Sequence, residues 1–463
     1  MTTSTYTRRG KPRGGAFGSL PRAAAIGLAL TLPLAACDLD ELLRVDDPTF
    51  LTPDRADLDL LVDGAVGDFQ RAFAGGLGNP GMHSEGYVSV SAAMSDEFKQ
   101  GDTFTTRQRT DERRQFSPAD GNTSDWAYTG LHQARRAAHD AANALPDGDA
   151  RFPEIRSLEG YAYLALGEGW CGAVPVSFVE DGAFVDGPMR STQELFREAV
   201  GIFENAGTDY NLAAVGKARA HLSLGEYAEA GTAAAAVPLD WVYFVEHSDN
   251  TARQRNAIYG LQNNGRWTQA DREGGNGLPF RSAMDPRTPW FHAGAAFDES
   301  VPLYVTMLHP GHPANVVLAD GIEAQLIRAE AALHTGGDWL GMLNELRANY
   351  QALMTARYPH LAGLYGDEDN PFGDLAPLTD PGTHEGRVDL IFQERGFWLY
   401  TRGTRLGDLR RLVREYGRNQ ADVFPVGEHH RGGSYGADVN FPVPFDEENN
   451  PLFERAACDV TQA

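Results

Sequence analysis

Five aromatic residues, Trp241, Tyr243, Trp267, Trp290 and Phe291, fall in a stretch that lacks helical spacing and is rich in Asn, Gly and Arg. An indole face can cover the C–H face of a sugar ring, and Asn263, Asn264, Arg266 and Asn276 carry groups that suit its hydroxyls. The same aromatics could instead fill a small core of their own segment. Trp267, set among Asn, Gly and Arg, is the least core-like of the five. The chemistry this pattern supports is recognition of a polyhydroxylated ligand.

Covalent chemistry has no comparable signal. The chain has no GxSxG, HExxH or Walker sequence and no cofactor-binding pattern of weight. GLGNPG, from Gly76 to Gly81, matches GxGxxG but follows a helical stretch rather than a strand and contains Pro80. His309-Pro-Gly-His312 lacks further ligands at metal spacing. Asp367, Asp369 and Asp374 offer carboxylates in a Gly/Pro turn, yet no glutamate stands at the twelfth position of a calcium loop, which leaves only weak calcium binding open. With 64 acidic residues, a carboxylate pair suited to glycoside cleavage is not readable. Glu394, Arg395, Arg405, Asp408 and Arg410 look like a catalytic charge cluster. Their helical spacing and apolar neighbours point instead to a paired network locking two helices, because unpaired buried charge is costly.

The elements that must carry these residues are helices. Ile322, Leu326, Ala329 and Leu333 share one face, Trp339, Leu343, Leu346 and Tyr350 another, and Gly336-Gly337 turns the chain between them, with Asp338 as cap. Lys217–Ala236 repeats this grammar: Ala218, Ala220 and Leu222, then Gly225-Glu226-Tyr227 at the turn. Small residues on one helix and an aromatic beside the turn are tetratricopeptide-like. The two copies lie about a hundred residues apart, beyond the usual period of roughly 34, so other structure is inserted between them. Further helices are expected from Thr52-Pro53 to Phe73 and at Ser84–Phe98, Ser124–Leu145, Glu154–Trp170, Thr192–Ala206, Val388–Tyr400 and Arg405–Tyr416. The stripe of Ser124–Leu145 reads Trp126, Leu131, Ala134, Ala138, Ala141 and Leu145. The expected fold is mainly α: a tetratricopeptide-like helical scaffold with an irregular, loop-rich insertion subdomain. A segment as long as 238–316 needs short strands or helices of its own.

The net charge is −24, which repels polyphosphates and excludes nucleic acid as a partner. Residues 1–36 read as an export signal, with five Lys/Arg and no Asp/Glu, then an apolar run from Ala23 to Leu34 that is short for a membrane span. Leu34-Ala35-Ala36-Cys37 resembles a bacterial lipobox, which implies cleavage before Cys37 and acylation of its thiol; an ordinary signal with a coincidental cysteine is the plain alternative. The remaining Cys171 and Cys458 form a bridge or stay as two buried thiols, as geometry decides. The resulting organisation is signal 1–36, acidic tether 37–50, helical scaffold with the first hairpin 51–237, aromatic ligand-facing segment 238–316, and second hairpin, helix pair and proline-rich tail 317–463.

Several phrases coincide with one family. QERGFWLYTRGTRLGDLRR, from Gln393 to Arg411, resembles the ER…F.L…G.R..DLRR signature of SusD/RagB outer-membrane lipoproteins. The lipobox with Leu43–Pro48 behind it, Tyr161–Pro175 ending Gly-Ala-Val-Pro, Leu326–Arg347 with RAEA…N..R, and Pro442-Val-Pro444 with Asn450-Pro451 agree in order. Asp285-Pro286-Arg287 is a weaker sixth. Together they span nearly the whole mature chain. Gly396 replaces a small alanine, Tyr400-Thr-Arg402 replaces an acidic-aromatic phrase, and Thr404 stands where histidine is common. The resemblance implies a non-enzymatic surface lipoprotein, held to the outer membrane through Cys37, that binds an oligosaccharide or peptide and closes over a TonB-dependent β-barrel transporter. Two rivals are a secreted helical glycosidase and an envelope protein-binding scaffold.

Overall fold

In the computed structural model, residues 57–77, 83–115, 117–180 and 182–463 are described. The expected export signal, Cys37, the expected tether and most of GLGNPG lie outside them. The helices of seven residues or more are α1 (Leu58–Ala74), α2 (Tyr87–Met94), α3 (Thr105–Asp111), α4 (Ser124–Ala144), α5 (Phe152–Gly169), α6 (Thr192–Ala206), α7 (Asn211–Ser223), α8 (Tyr227–Ala234), α9 (Ala257–Asn263), α10 (Gly321–Thr335), α11 (Trp339–Ala348), α12 (Tyr350–Arg357), α13 (His384–Trp398) and α14 (Arg405–Arg414). None is long and apolar enough to cross a membrane.

Successive helices pack in series: α1 on α4, α4 on α5, α5 on α6, α6 on α7, α7 on α8, α8 on α10, and α10 on α11. This series is a run of helical hairpins in which the two pairs legible in sequence, α7–α8 and α10–α11, are neighbours in space. Small residues set the spacing. A β-carbon on Gly160 of α5 would stand 2.7 Å from the Phe203 ring of α6, and one on Gly231 of α8 would stand 3.0 Å from Ala331 of α10. Gly336 turns out of α10 at φ 86°, where other residues are strained, and the Asp338 side chain accepts from Gly341 N at 2.9 Å to start α11.

Between α8 and α10 the chain forms short antiparallel pairs. Counting with them one strand that lies before the insertion, these are β1 (Phe98–Gln100), β2 (Val242–Val245), β3 (Trp267–Gln269), β4 (Trp290–Ala295), β5 (Pro302–Thr306) and β6 (Val316–Asp320). β2 pairs with β6, which closes the insertion at its base, and β4 pairs with β5. β3 pairs with β1, Trp267 opposite Gln100. The expected helix Ser84–Phe98 is therefore two elements: α2 ends at Met94 and Phe98 opens a strand, because the insertion supplies a partner edge that spacing alone does not reveal.

The charged helix pair is buried and paired. Arg395 donates to Asp408 at 2.8 and 2.9 Å, Arg411 bridges Asp408 and Glu330, and Arg405 reaches Asp96 at 2.6 and 2.8 Å. Glu394 accepts from Arg287 at 2.6 Å and Arg347 at 2.7 Å, joining the Asp-Pro-Arg segment to α11 and α13. Arg410 departs from this pattern, donating to the Gly167 and Glu168 carbonyls at 2.9 and 2.7 Å. Cys171 and Cys458 are bonded, with Cα atoms 5.2 Å apart. The bond fixes the C-terminal tail to the end of α5, where the Phe441 ring also packs at a tilt against Trp170.

Candidate functional site

An aromatic-edged surface lies where the first turn of α3 and the start of α4 meet the turn after α9. Asp125 accepts from Asn122 N at 2.8 Å, shaping the entry to α4, and Trp126 follows with 62% of its surface exposed. Opposite, Phe104 precedes α3 and is 48% exposed. A groove of about 500 Å³ runs between them, floored by Glu85 and Arg107 and edged by Arg266. A second hollow of about 280 Å³, lined in part by Asp68, Arg71 and Gln133, also touches Glu85 and Trp126. The indole stands at the junction of the two.

Paired charges hold the floor. Arg107 is ion-paired with Glu85 and donates to Asp102 Oδ2 at 2.6 Å. Burial pushes the Glu85 carboxyl up, opposed by the Arg107 guanidinium. Arg266 approaches Asp102 Oδ2 at 3.5 Å and lies over the Phe297 ring. Gly265 makes this possible: its φ is 70°, and a β-carbon there would meet Phe297 N at 2.6 Å. Arg107 also packs over Phe104, 4.8 Å from its ring centre. Burial pushes Asp125 up to about 6, and its Oδ1 has no hydrogen-bond partner among the described residues. Exposed aromatic faces beside amide, guanidinium and carboxyl groups are what a hydroxyl-rich ring needs for stacking and hydrogen bonding.

Of the nine residues expected to bind ligand, only Arg266 lines this groove. Trp267, expected to be the most ligand-facing, is fully buried: pairing of β3 with β1 turns its ring into the core. Trp241 and Tyr243 are half-buried against the core, and the Tyr243 hydroxyl donates to Glu154 at 2.7 Å. Trp290 is half-buried on β4, edge-on to Tyr304, while Phe291 beside it is exposed. Asn263 and Asn264 are exposed at the end of α9, away from the groove. Asn276 donates to the Ala421 and Phe424 carbonyls at 2.9 and 2.7 Å, a structural role. His309 is buried and bonded to Thr401, and Asp374 accepts from Tyr350; among the described residues, Asp367, Asp369 and Asp374 do not form a three-ligand cluster.

Trp126, Phe104, Glu85 and Asp125 are the residues that sequence reasoning missed as a site. Trp126 stands in the expected buried stripe, but the step from it to Leu131 is five residues, off the helical repeat. Ala127 and Tyr128 occupy the inward positions instead. That break in register is the signal that could have found it.

No protein-family model matches this chain, and no curated protein does. Solved structures match its fold. A SusD/RagB family protein from Bacteroides thetaiotaomicron is 12% identical with a TM-score of 0.61, over 87% of this chain and 96% of that one. A SusD-like carbohydrate binding protein from Bacteroides vulgatus is 16% identical with a TM-score of 0.54, over 78% and 83%. Surface glycan-binding protein A from Bacteroides uniformis is 13% identical with a TM-score of 0.53, over 86% and 99%. The chain therefore carries the SusD-like fold, a mainly helical, tetratricopeptide-like frame.

Proposed function

We propose that this chain is a non-enzymatic, lipid-anchored surface protein that captures an oligosaccharide in the groove around Trp126 and hands it to a TonB-dependent outer-membrane transporter. The observation that carries the reading is the pair of exposed aromatics, Trp126 and Phe104, facing a groove whose polar groups are held in place by buried ion pairs. Two structures sharing the fold are described as carbohydrate or glycan binding, which supports a sugar as the ligand class. Glu85 is tied to Arg107, which suits it to recognition rather than proton transfer. The signal-like residues 1–36 and the lipobox-like Leu34–Cys37 support a membrane anchor through acyl chains on Cys37, with the outer membrane as the proposed destination.

A glycan array probed with the wild-type protein and Trp126→Ala tests the ligand. Binding of a defined oligosaccharide that the variant loses supports capture; cleavage of that sugar would favour a glycosidase, and binding to peptides or proteins alone would favour a scaffold. Delivery is tested by mild crosslinking of native membranes, with a β-barrel transporter as the expected partner and loss of the complex in Cys37→Ser.

A further inference from the structure

The two ends of α3 meet different chemistry. Its first turn carries Thr106 and Arg107 to the groove, while its last residue, Asp111, meets two histidines from the C-terminal part of the chain. A tight turn brings them in: His429 N donates to Gly433 O at 3.0 Å, with Gly432 and Gly433 at φ 88° and 76°. One ligand atom from each of Asp111, His429 and His430 lies within 4.8 Å of the others. His429 Nε2 is 3.0 Å, and His430 Nδ1 3.8 Å, from Asp111 Oδ2. Asp111 and His429 are fully buried, and His430 keeps only a sliver of exposure.

The hydrogen bonds fix which nitrogens are available. His430 Nε2 lies 3.0 Å from the Gln100 carbonyl oxygen, which can only accept, so Nε2 carries the proton and Nδ1 presents a lone pair. That Nδ1 and Asp111 Oδ1 are both buried without a hydrogen-bond partner among the described residues. His429 Nδ1 accepts from Arg431 N at 3.4 Å and lies 3.8 Å from Glu112 Oε1, so without an ion its Nε2 carries the proton and donates to Asp111 at 3.0 Å. A ring nitrogen held by a carbonyl or carboxylate, with the other aimed at a carboxylate, is how metal-binding imidazoles are oriented. The nearby Lys99 ammonium is itself held by Glu273 at 2.9 Å, which offsets its charge.

We propose that Asp111, His429 and His430 form a binding site for a divalent transition-metal ion of the zinc type. Two neutral imidazoles and one carboxylate suit zinc and its late first-row neighbours, whereas calcium and magnesium call for all-oxygen sets. His429 would present Nε2 to the ion by carrying its proton on Nδ1 instead, which exchanges the 3.4 Å contact from Arg431 N for an approach of Nδ1–H to the Glu112 carboxylate, 3.8 Å away in this structure; no net proton is released by the tautomer change. The ion would clip the turn at 427–436 to α3, and so brace one wall of the groove. This site does not depend on the sugar-binding reading.

The test uses the untagged full chain, stripped with a chelator and titrated with zinc chloride by calorimetry, and with cobalt chloride by visible absorption. One equivalent of zinc and cobalt bands of a four-coordinate site are expected. His430→Ala should weaken zinc binding by at least about tenfold, since loss of even a supporting partner costs about 10–100-fold, and should abolish the bands. Circular dichroism and the thermal midpoint check that this rim residue leaves the fold intact. No zinc uptake by wild type, or equal uptake by His430→Ala, would overturn the proposal and leave a hydrogen-bonded triad. If His430→Ala does not fold, proton NMR of the wild-type cobalt form decides: two paramagnetically shifted imidazole N–H signals support the site, and none overturns it.

Discussion

The Arg266 guanidinium lies over the Phe297 ring, 3.5 Å from its centre, while one of its nitrogens approaches Asp102. Stacking and charge together hold a planar hydrogen-bond donor at the rim of the groove. Lysine keeps the charge but neither the plane nor the fork. Arg266→Lys is therefore expected to weaken binding of the array-identified oligosaccharide by several-fold, in line with about 1 kcal/mol for such contacts, and Arg266→Ala by at least as much. Titration calorimetry reads both. Unchanged affinity in the two variants would remove Arg266 from the site.

Two tryptophans with opposite exposure make a matched pair of tests. Trp126→Ala is expected to leave stability within about 0.5 kcal/mol, because its ring is largely in solvent, while binding falls by about 1 kcal/mol or more. Trp267→Ala empties a fully buried site and should cost about 3–5 kcal/mol of stability. Urea unfolding of both variants, with ligand titration of Trp126→Ala, separates recognition from core packing.

The hairpins were legible because a helix buries residues at a local spacing, and both copies carry their turn glycines where the period breaks. The charged motif was legible for a related reason: five ionisable residues amid apolar neighbours must find partners. The groove was harder to read: the exposure of Trp126 shows only as a break in helical spacing, and the burial of Trp267 depends on a pairing that no local pattern encodes. Trp267 is buried only because Gln100, distant in sequence, lies opposite it. Glu394 likewise finds Arg287 from the insertion and Arg347 from α11, a convergence set by topology.

That convergence predicts a stability effect. Glu394→Gln leaves the buried Arg287 with Asp285 alone and the partly buried Arg347 without its carboxylate. A loss of about 3–5 kcal/mol is expected, the usual cost of breaking a buried pair from one side. Arg347→Gln, at the edge of the cluster, should cost less. Equal losses in the two would show that the carboxylate is not the shared centre.

The Cys171–Cys458 bond closes a loop across 287 residues and ties the tail to α5. Cys458→Ser should lower stability by about 2–5 kcal/mol, read as a lower denaturant midpoint. Wild type in reductant should fall to the same midpoint as the variant. A variant as stable as oxidised wild type would show that packing of Phe441 on Trp170 holds the tail unaided.

Glu97 sets a pH dependence of known sign. Its carboxyl is buried, Thr401 N donates to Oε1 at 3.0 Å, and Oε2 has no hydrogen-bond partner among the described residues. Burial pushes it up to about 8, the Thr401 amide opposes this, and neighbouring Asp96 adds to the rise. The folded protein therefore keeps a proton that the unfolded chain releases near the usual glutamate value. Stability from this group is full below about 4.5 and is lost progressively as pH climbs to about 8. Glu323, pushed up to about 7 by burial, acts in the same direction over a narrower window. Glu97→Gln keeps the shape and stays neutral, so it should match wild type near pH 5 and exceed it at pH 8, with a flatter profile between. Urea unfolding free energies of both proteins across that range make the comparison. Parallel profiles would mean that Glu97 is already ionised in the fold, with its charge balanced by Arg405 across Asp96.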